Sequence, residues 1–416
     1  MAARIAESSA TSPAPVAQAP ATTGAWRPAV GRLHSGIASA ALAGIAILAL
    51  ASPHVRETSL AWGGGLLLIG GALIGVPHGS SDFVVAYRLM RPRLGWRWLP
   101  CFLLLYLALV GATTAAWSIA PLVTLLVFLA ISGLHFGSGE GQSAATLSGS
   151  GLVFAVRATT PILPIFLVHP AGVSGFIAAL AEVPNESALR ILESLRWPLL
   201  LPWAVALSAV TLPPLVAYAR CARRSAHLKD HSARLPFSSR RATGAGWDGP
   251  AETCRSSDGA RSIPLPATGK GEERRWGSRR TGTCDSHDQC AMEARDSIEL
   301  LSISFAAAVL PPLLAFGLFF CLIHAVRHMA ELAEDVFPRQ GRSAALLVAA
   351  VVLPSAIACL VLLFATWSRF GGAFDAERLV IESLRMVAAL TVPHMALETL
   401  ARAQDRRQAA GSLLGR

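Results

Sequence analysis

Five histidines stand inside or at the ends of long apolar runs: His78 in GVPHGSSD, His135 in ISGLHFGSGE, His324 and His328 in CLIHAVRHMAE, and His394 in TVPHMALE. An ionisable side chain at membrane depth is costly, so its default reading is functional. Neutral imidazole is also the commonest nitrogen ligand for first-row metals. His324 and His328 are four residues apart, on one face of a helix, and both can reach a single ion. A His-x3-His pair alone is a weak signal. Its weight comes from lying at the end of an apolar run, with His78 and His135 at the ends of two others. Four imidazoles around one ion, with positions left open for O2 or a substrate, suit a non-haem iron.

Carboxylates follow most of these histidines: Asp82, Glu140, Glu331 and Glu398. Asp82 and Glu398 fall at i+4 from His78 and His394, on the same helix faces. A carboxylate beside a ligating histidine accepts its other ring N–H and fixes the tautomer; it can also ligate directly. The sequence leaves both roles open. Pro77 and Pro393 each precede a histidine, remove an intrahelical hydrogen bond and kink the helix. The two Val-Pro-His-x3-acid segments are two similar ways of presenting a histidine, with His394 the less secure ligand. For a single histidine, packing or an interfacial position is as common as ligation. Five, each with an acid or a partner histidine, favour a shared site. His34, His54 and His169 have neither and are assigned to interfaces. Phe83, Phe136, Phe319 and Phe320 are core or lipid contacts, or line a pocket for a long apolar substrate.

The elements that must position these residues are membrane helices. The 416 residues are 53% hydrophobic and only 15% charged, against about a quarter charged in soluble domains. A span needs about 20 apolar residues, and runs near 35–53, 60–78, 98–119, 121–137, 197–219, 299–326, 343–367 and 379–400 qualify. The expected fold is all-α, a polytopic integral membrane bundle of about eight transmembrane helices. Residues 1–33 read as a disordered tail, 34–219 and 298–402 as the two parts of the membrane domain, and 403–416 as a C-terminal tail. Residues 220–297 form an Arg-, Ser- and Gly-rich insertion expected to be disordered. It contains Cys284-x2-His287-x2-Cys290 without the fold context of a zinc site, so these residues are read as incidental. The net charge of +10 comes without a basic face interleaved with aromatics, which argues against nucleic acid.

Arg88, Arg91, Arg93 and Arg97 make the loop after the second run cytoplasmic, so His78 and His135 lie toward cytoplasmic helix ends. For His324 to reach the same face, an even number of crossings must separate it from His135. The segment 151–181, interrupted by Pro161, Pro164 and Pro170, is the natural non-crossing element. On that reading 299–326 crosses, and the basic insertion lies on the opposite face.

GVPHGSSD, HFGSGE, CLIHAVRHMAE and VPHMALE, in that order on a multi-span chain, resemble the Brp/Blh family of bacterial and archaeal β-carotene 15,15′-dioxygenases. The resemblance covers roughly residues 35–400, apart from the insertion. It implies a multi-pass enzyme of the cell membrane that uses Fe(2+) and O2 to split all-trans-β-carotene at its central double bond, giving two retinals for a microbial rhodopsin. Carried over, the family's iron-binding histidines fall on His78, His135, His324 and His328, and His394 matches a further family histidine. Asp82, Glu140, Glu331, His394 and Glu398 remain supporting or additional ligands. Two other classes compete. Another membrane non-haem iron lipid oxidase or desaturase would carry more clustered histidine boxes. A metal or proton transporter would show repeated halves with midplane helix breaks.

Overall fold

The computed structural model describes residues 27–52, 82–138, 151–234, 274–329 and 376–414, together with positions 54 and 79. Every regular element among them is helical: α1 (Arg27–Ala51), α2 (Asp82–Leu94), α3 (Trp98–Ile119), α4 (Pro121–Gly137), α5 (Gly151–Thr159), α6 (Leu163–Val168), α7 (Pro170–Ala181), α8 (Asn185–Arg234), α9 (Arg274–Val309), α10 (Pro312–Leu318), a π-helical turn (Phe319–Ala325) and α11 (Ala376–Leu414). Among the described residues, five stretches are long and apolar enough to cross a membrane: His34–Ala51, Asp82–Ile119, Asn185–His227, Pro312–Met329 and Val380–Gln404. The chain is a helical membrane bundle. The expected runs near 60–78 and 343–367, and the candidate residues His78, Glu140 and Glu331, lie outside the described residues.

Proline sets where the chain turns. Pro121 occupies the first turn of α4, and Ala120 before it is held out of the helical region at φ −144° and ψ 67°. This reverses the chain between α3 and α4. The end of α4 then meets α5, where a Cβ on Gly137 would come within 2.8 Å of the Ala158 Cβ. Only glycine permits that approach, two residues from His135.

The path that follows differs from the sequence expectation. The proline-interrupted segment does break, into α5, α6 and α7, but together they traverse the bundle. Gly137 packs on α5 at one end. At the other end of the α3–α4 pair, Trp117 Nε1 donates to the Leu180 carbonyl of α7 over 3.0 Å. Helix α8 then returns, and its Leu207 and Val210 pack with Val156 of α5 and Leu300 of α9. The apolar run at 299–326 is the one that folds back on itself. Pro311 is extended (φ −53°, ψ 141°), and Pro311-Pro312 separates α9 from α10. Glu299 on the first leg meets Arg327 just beyond the second, and Ser35 of α1 also bonds Glu299. The first leg, from Glu299 to Leu310, is about 17 Å long at 1.5 Å per residue. The hydrocarbon core is about 30 Å thick, so this leg alone does not span it, and the hairpin brings Arg327 back to the level of Glu299. Both roots of the insertion therefore sit at the histidine end, where Cys221 and Cys290 approach to 3.3 Å. On this path the described roots of the insertion lie at the same end of the bundle as His135, whereas the sequence expectation put the insertion on the opposite face.

The described ends of the assigned tails and insertion are helical extensions: α1 begins at Arg27, α8 runs to Arg234, α9 starts at Arg274 and α11 reaches Leu414. The main core lies between α1 and the hairpin of α9 and α10. Ala38, Leu42, Ala46 and Ala49 face Ile303, Ala306, Ala307 and Leu310, all buried. Small side chains on both sides let the helices approach closely, which is how helices associate in lipid without a hydrophobic driving force.

Candidate metal centre

Three helix segments from distant parts of the chain bring the histidines together. His135 comes from the last turn of α4, His324 from the π-helical turn, and His394 from the middle of α11 beside the fully buried Pro393. All three are buried. His328 lies one turn beyond the π segment. The Nε2 atoms of His135 and His324 face each other at 3.2 Å. The ring centroids of His394 lie 5.4 Å from those of both His135 and His328.

One carboxylate serves three of the rings. Glu398 Oε2 lies 3.3 Å from His135 Nδ1, while its Oε1 lies 3.3 Å from His328 Nδ1 and 3.9 Å from His394 Nε2. Arg402, one turn further along α11, holds Glu398 Oε2 at 3.0 Å. Its other nitrogen donates to Ser138 Oγ, and that hydroxyl donates to the His135 carbonyl. Asp82, buried at the start of α2, is hydrogen-bonded by His394 Nδ1 at 2.6 Å and by the Tyr106 hydroxyl at 3.0 Å.

Spacing suggested Asp82 for His78, a pairing that lies outside the described residues, and Glu398 for His394. Glu398 does approach His394 at i+4, but it lies nearer to His135 and His328, and Asp82 bonds His394 across 312 positions. Inter-helix contact leaves no trace in local spacing, so these cross-helix partners could not be read from the chain. Arg402, Ser138, Tyr106 and His34 were missed for the same reason. His34, assigned to the interface, donates from Nε2 to the Leu322 carbonyl within the π turn at 2.8 Å. A π turn widens the helix and is frequent at functional sites; here it carries His324, and His34 satisfies a carbonyl within it. Arg402 has a faint signal, as a cation four residues after Glu398.

The donor set fits a transition metal. Two nitrogens each about 2.1 Å from one ion are separated by roughly 3.0–3.4 Å at angles of ~90–109°, and the His135–His324 separation lies inside that window. Glu398 against Nδ1 of His135 and His328 favours the N–H there, leaving the Nε2 lone pairs for ligation. A second ligand group lies close by, since one ligand atom each from His135, His394 and Glu398 fall within 4.8 Å of one another. Aromatic rings wall this centre. Phe136 packs edge-on against both Phe319 and His324, and Phe320 stacks on His324 at 5.4 Å. Phe83 packs instead edge-on against Trp98 and Phe102 of α3. In the insertion root, Cys290 turns to Cys221, and that hydrogen bond raises the Cys290 thiol above its ordinary range.

Residues 69–231 and 275–401 match the profile of a family described as "Beta-carotene 15,15'-dioxygenase", skipping the middle of the insertion. A Halobacterium salinarum protein named "Probable beta-carotene 15,15'-dioxygenase Blh" is 35% identical over 130 residues. That alignment covers 30% of this chain and 35% of the relative, so the matched stretch spans about a third of that protein's length. No solved structure matches the chain.

Proposed function

The chain belongs to the beta-carotene 15,15′-dioxygenase family, and from that premise we propose that it cleaves all-trans-β-carotene at its central 15,15′ double bond with O2, as a multi-pass enzyme of the cell membrane. The observation that carries this reading is the buried pair of facing Nε2 atoms, His135 and His324, backed by Glu398. Both oxygen atoms of O2 end in the two retinal aldehydes, so the reaction balances without an external reductant. Fe(2+) is the proposed metal, and when bound it supplies the redox chemistry that activates O2. Nε2 of His135, His324 and His328 would hold it, together with His78, which lies outside the described residues. His394, held by Asp82, is a positioning residue or a further ligand. A rhodopsin is the expected consumer of the retinal.

The chain's own residues account for the rest. Asp82, Glu398 and Arg402 fix the imidazole orientations, so the site is preorganised before substrate arrives. Phe136, Phe319 and Phe320 offer flat apolar faces beside His324, suited to stacking a conjugated polyene. Burial of His135, His324 and His394 keeps bulk water from the reacting centre. The substrate is a hydrocarbon dissolved in the bilayer, so a site among membrane helices shortens its path.

The test is expression of the full chain in cells that accumulate β-carotene, with product analysis by chromatography. Retinal should appear as carotene disappears, and His135→Ala or His324→Ala should stop both. Carotene loss without retinal would mean another reaction, and unchanged carotene with well-expressed, iron-loaded protein would overturn the enzyme reading.

A further inference from the structure

A groove of about 580 Å3 opens on the outer side of the bundle, between α2, α3 and α11. Its walls are apolar, formed among others by Leu94, Leu105, Leu109, Leu397 and Leu400. Several of these are exposed in the bundle. One end is different, for Arg93, Gln404 and Arg407 line it. Arg93 donates to the Gln404 side chain at 3.2 Å and to the Leu89 carbonyl at 3.1 Å. Among the described residues neither Arg93 nor Arg407 has a carboxylate within ion-pair distance, whereas Arg157, Arg327, Arg385 and Arg402 each have one.

We propose that this groove binds an anionic phospholipid, with the phosphate at Arg93 and Arg407 and an acyl chain along the leucines. Three observations select that occupant. A carotenoid or a neutral acyl chain would match the leucines but leave two guanidinium groups unmatched; a phosphate matches both ends. The dimensions agree too. From Pro393 to Arg407, α11 rises about 21 Å, close to half of the ~30 Å hydrocarbon core plus a headgroup. The cationic end also lies level with the basic α2–α3 loop, at the membrane edge where the positive-inside rule puts the anionic leaflet. The far wall of the groove includes Tyr106 and Pro393. Tyr106 bonds Asp82, and Pro393 precedes His394, so the bound chain braces the outer side of the pair that orients the histidine cluster. The binding site does not depend on which reaction the cluster performs.

The test uses full-length protein, delipidated in a neutral detergent and titrated with phosphatidylglycerol or with phosphatidylcholine of the same chains. Binding is read by native mass spectrometry and by thermal shift. Phosphatidylglycerol should bind and raise the melting temperature, and phosphatidylcholine should do so much less. Each arginine near the anionic surface contributes roughly five-fold, so Arg93→Gln with Arg407→Gln should weaken binding about 30-fold. The Arg93→Lys and Arg407→Lys pair, which keeps the charge, should restore most of it, and Arg190→Gln on exposed α8 should leave it unchanged. Equal binding of the two lipids would overturn the proposal. So would undiminished phosphatidylglycerol binding by the Gln pair, or inorganic phosphate alone reproducing the thermal shift.

Discussion

Two polar clusters, one buried and one half-buried, flank the same stretch of helix, and they are built on opposite principles. His324 and His328 face the metal centre, while Arg327 between them turns away to Glu299, next to a second pair, Arg157–Asp296 at 2.8 Å. In the arginine cluster two guanidinium groups meet two carboxylates. The charges balance, and arginine neither loses its proton nor offers a lone pair. That cluster can only lock α1, α5 and α9 to the hairpin. In the histidine cluster, among the described residues, two carboxylates, Asp82 and Glu398, meet one guanidinium, Arg402. That leaves one carboxylate more than there are guanidinium groups, beside imidazole nitrogens able to offer lone pairs. A divalent cation would answer both. The arginine side fixes geometry, and the histidine side retains chemical potential.

That contrast predicts different losses on either side. The largest belongs to the ligands: His324→Ala should remove both bound iron and retinal formation, measured by elemental analysis and product chromatography on the same preparation. Arg327→Met should act on the other side by leaving half-buried Glu299 with Ser35 but without its paired guanidinium, a stability loss below the roughly 3–5 kcal/mol of breaking a fully buried pair. Protein that does fold should still bind iron, and adding Glu299→Leu should recover much of the loss in a denaturation midpoint. Loss of iron from folded Arg327→Met would erase the distinction between the clusters. Asp82→Asn should weaken metal affinity by roughly 10–100-fold, the usual range for a residue that orients a ligand rather than binds the ion. Tyr106→Phe removes a single hydrogen bond to a carboxylate, about 1.5–3 kcal/mol at most, and should alter activity less than Asp82→Asn does.

How much of this the chain revealed depends on whether the determining contact was local. The histidines were legible because ionisable residues in apolar runs stand out wherever the helices go. The helical membrane class was legible for the same compositional reason. The cross-helix contacts of Asp82 with His394 and of Glu398 with His135 and His328 were not, since only tertiary packing creates them. The path of the chain departs from the expected one at a feature that was in plain sight. Pro311-Pro312 interrupts the run at 299–326 as firmly as Pro161, Pro164 and Pro170 interrupt 151–181, yet hydropathy across the proline pair is unbroken. A membrane-impermeant thiol reagent checks the path. Single cysteines at Trp96 and Ala226, both exposed, should label from the same side of the membrane, and labelling from opposite sides would restore the crossing at 299–326.

The most direct test of the metal centre compares retinal production by one full-length preparation in two forms, loaded with Fe(2+) and stripped by chelator, each given β-carotene and O2. The loaded form should yield retinal as the sole aldehyde and the stripped form none, with activity restored on adding iron back. Equal turnover by the stripped form, or longer apocarotenoid aldehydes from the loaded one, would contradict iron-dependent central cleavage.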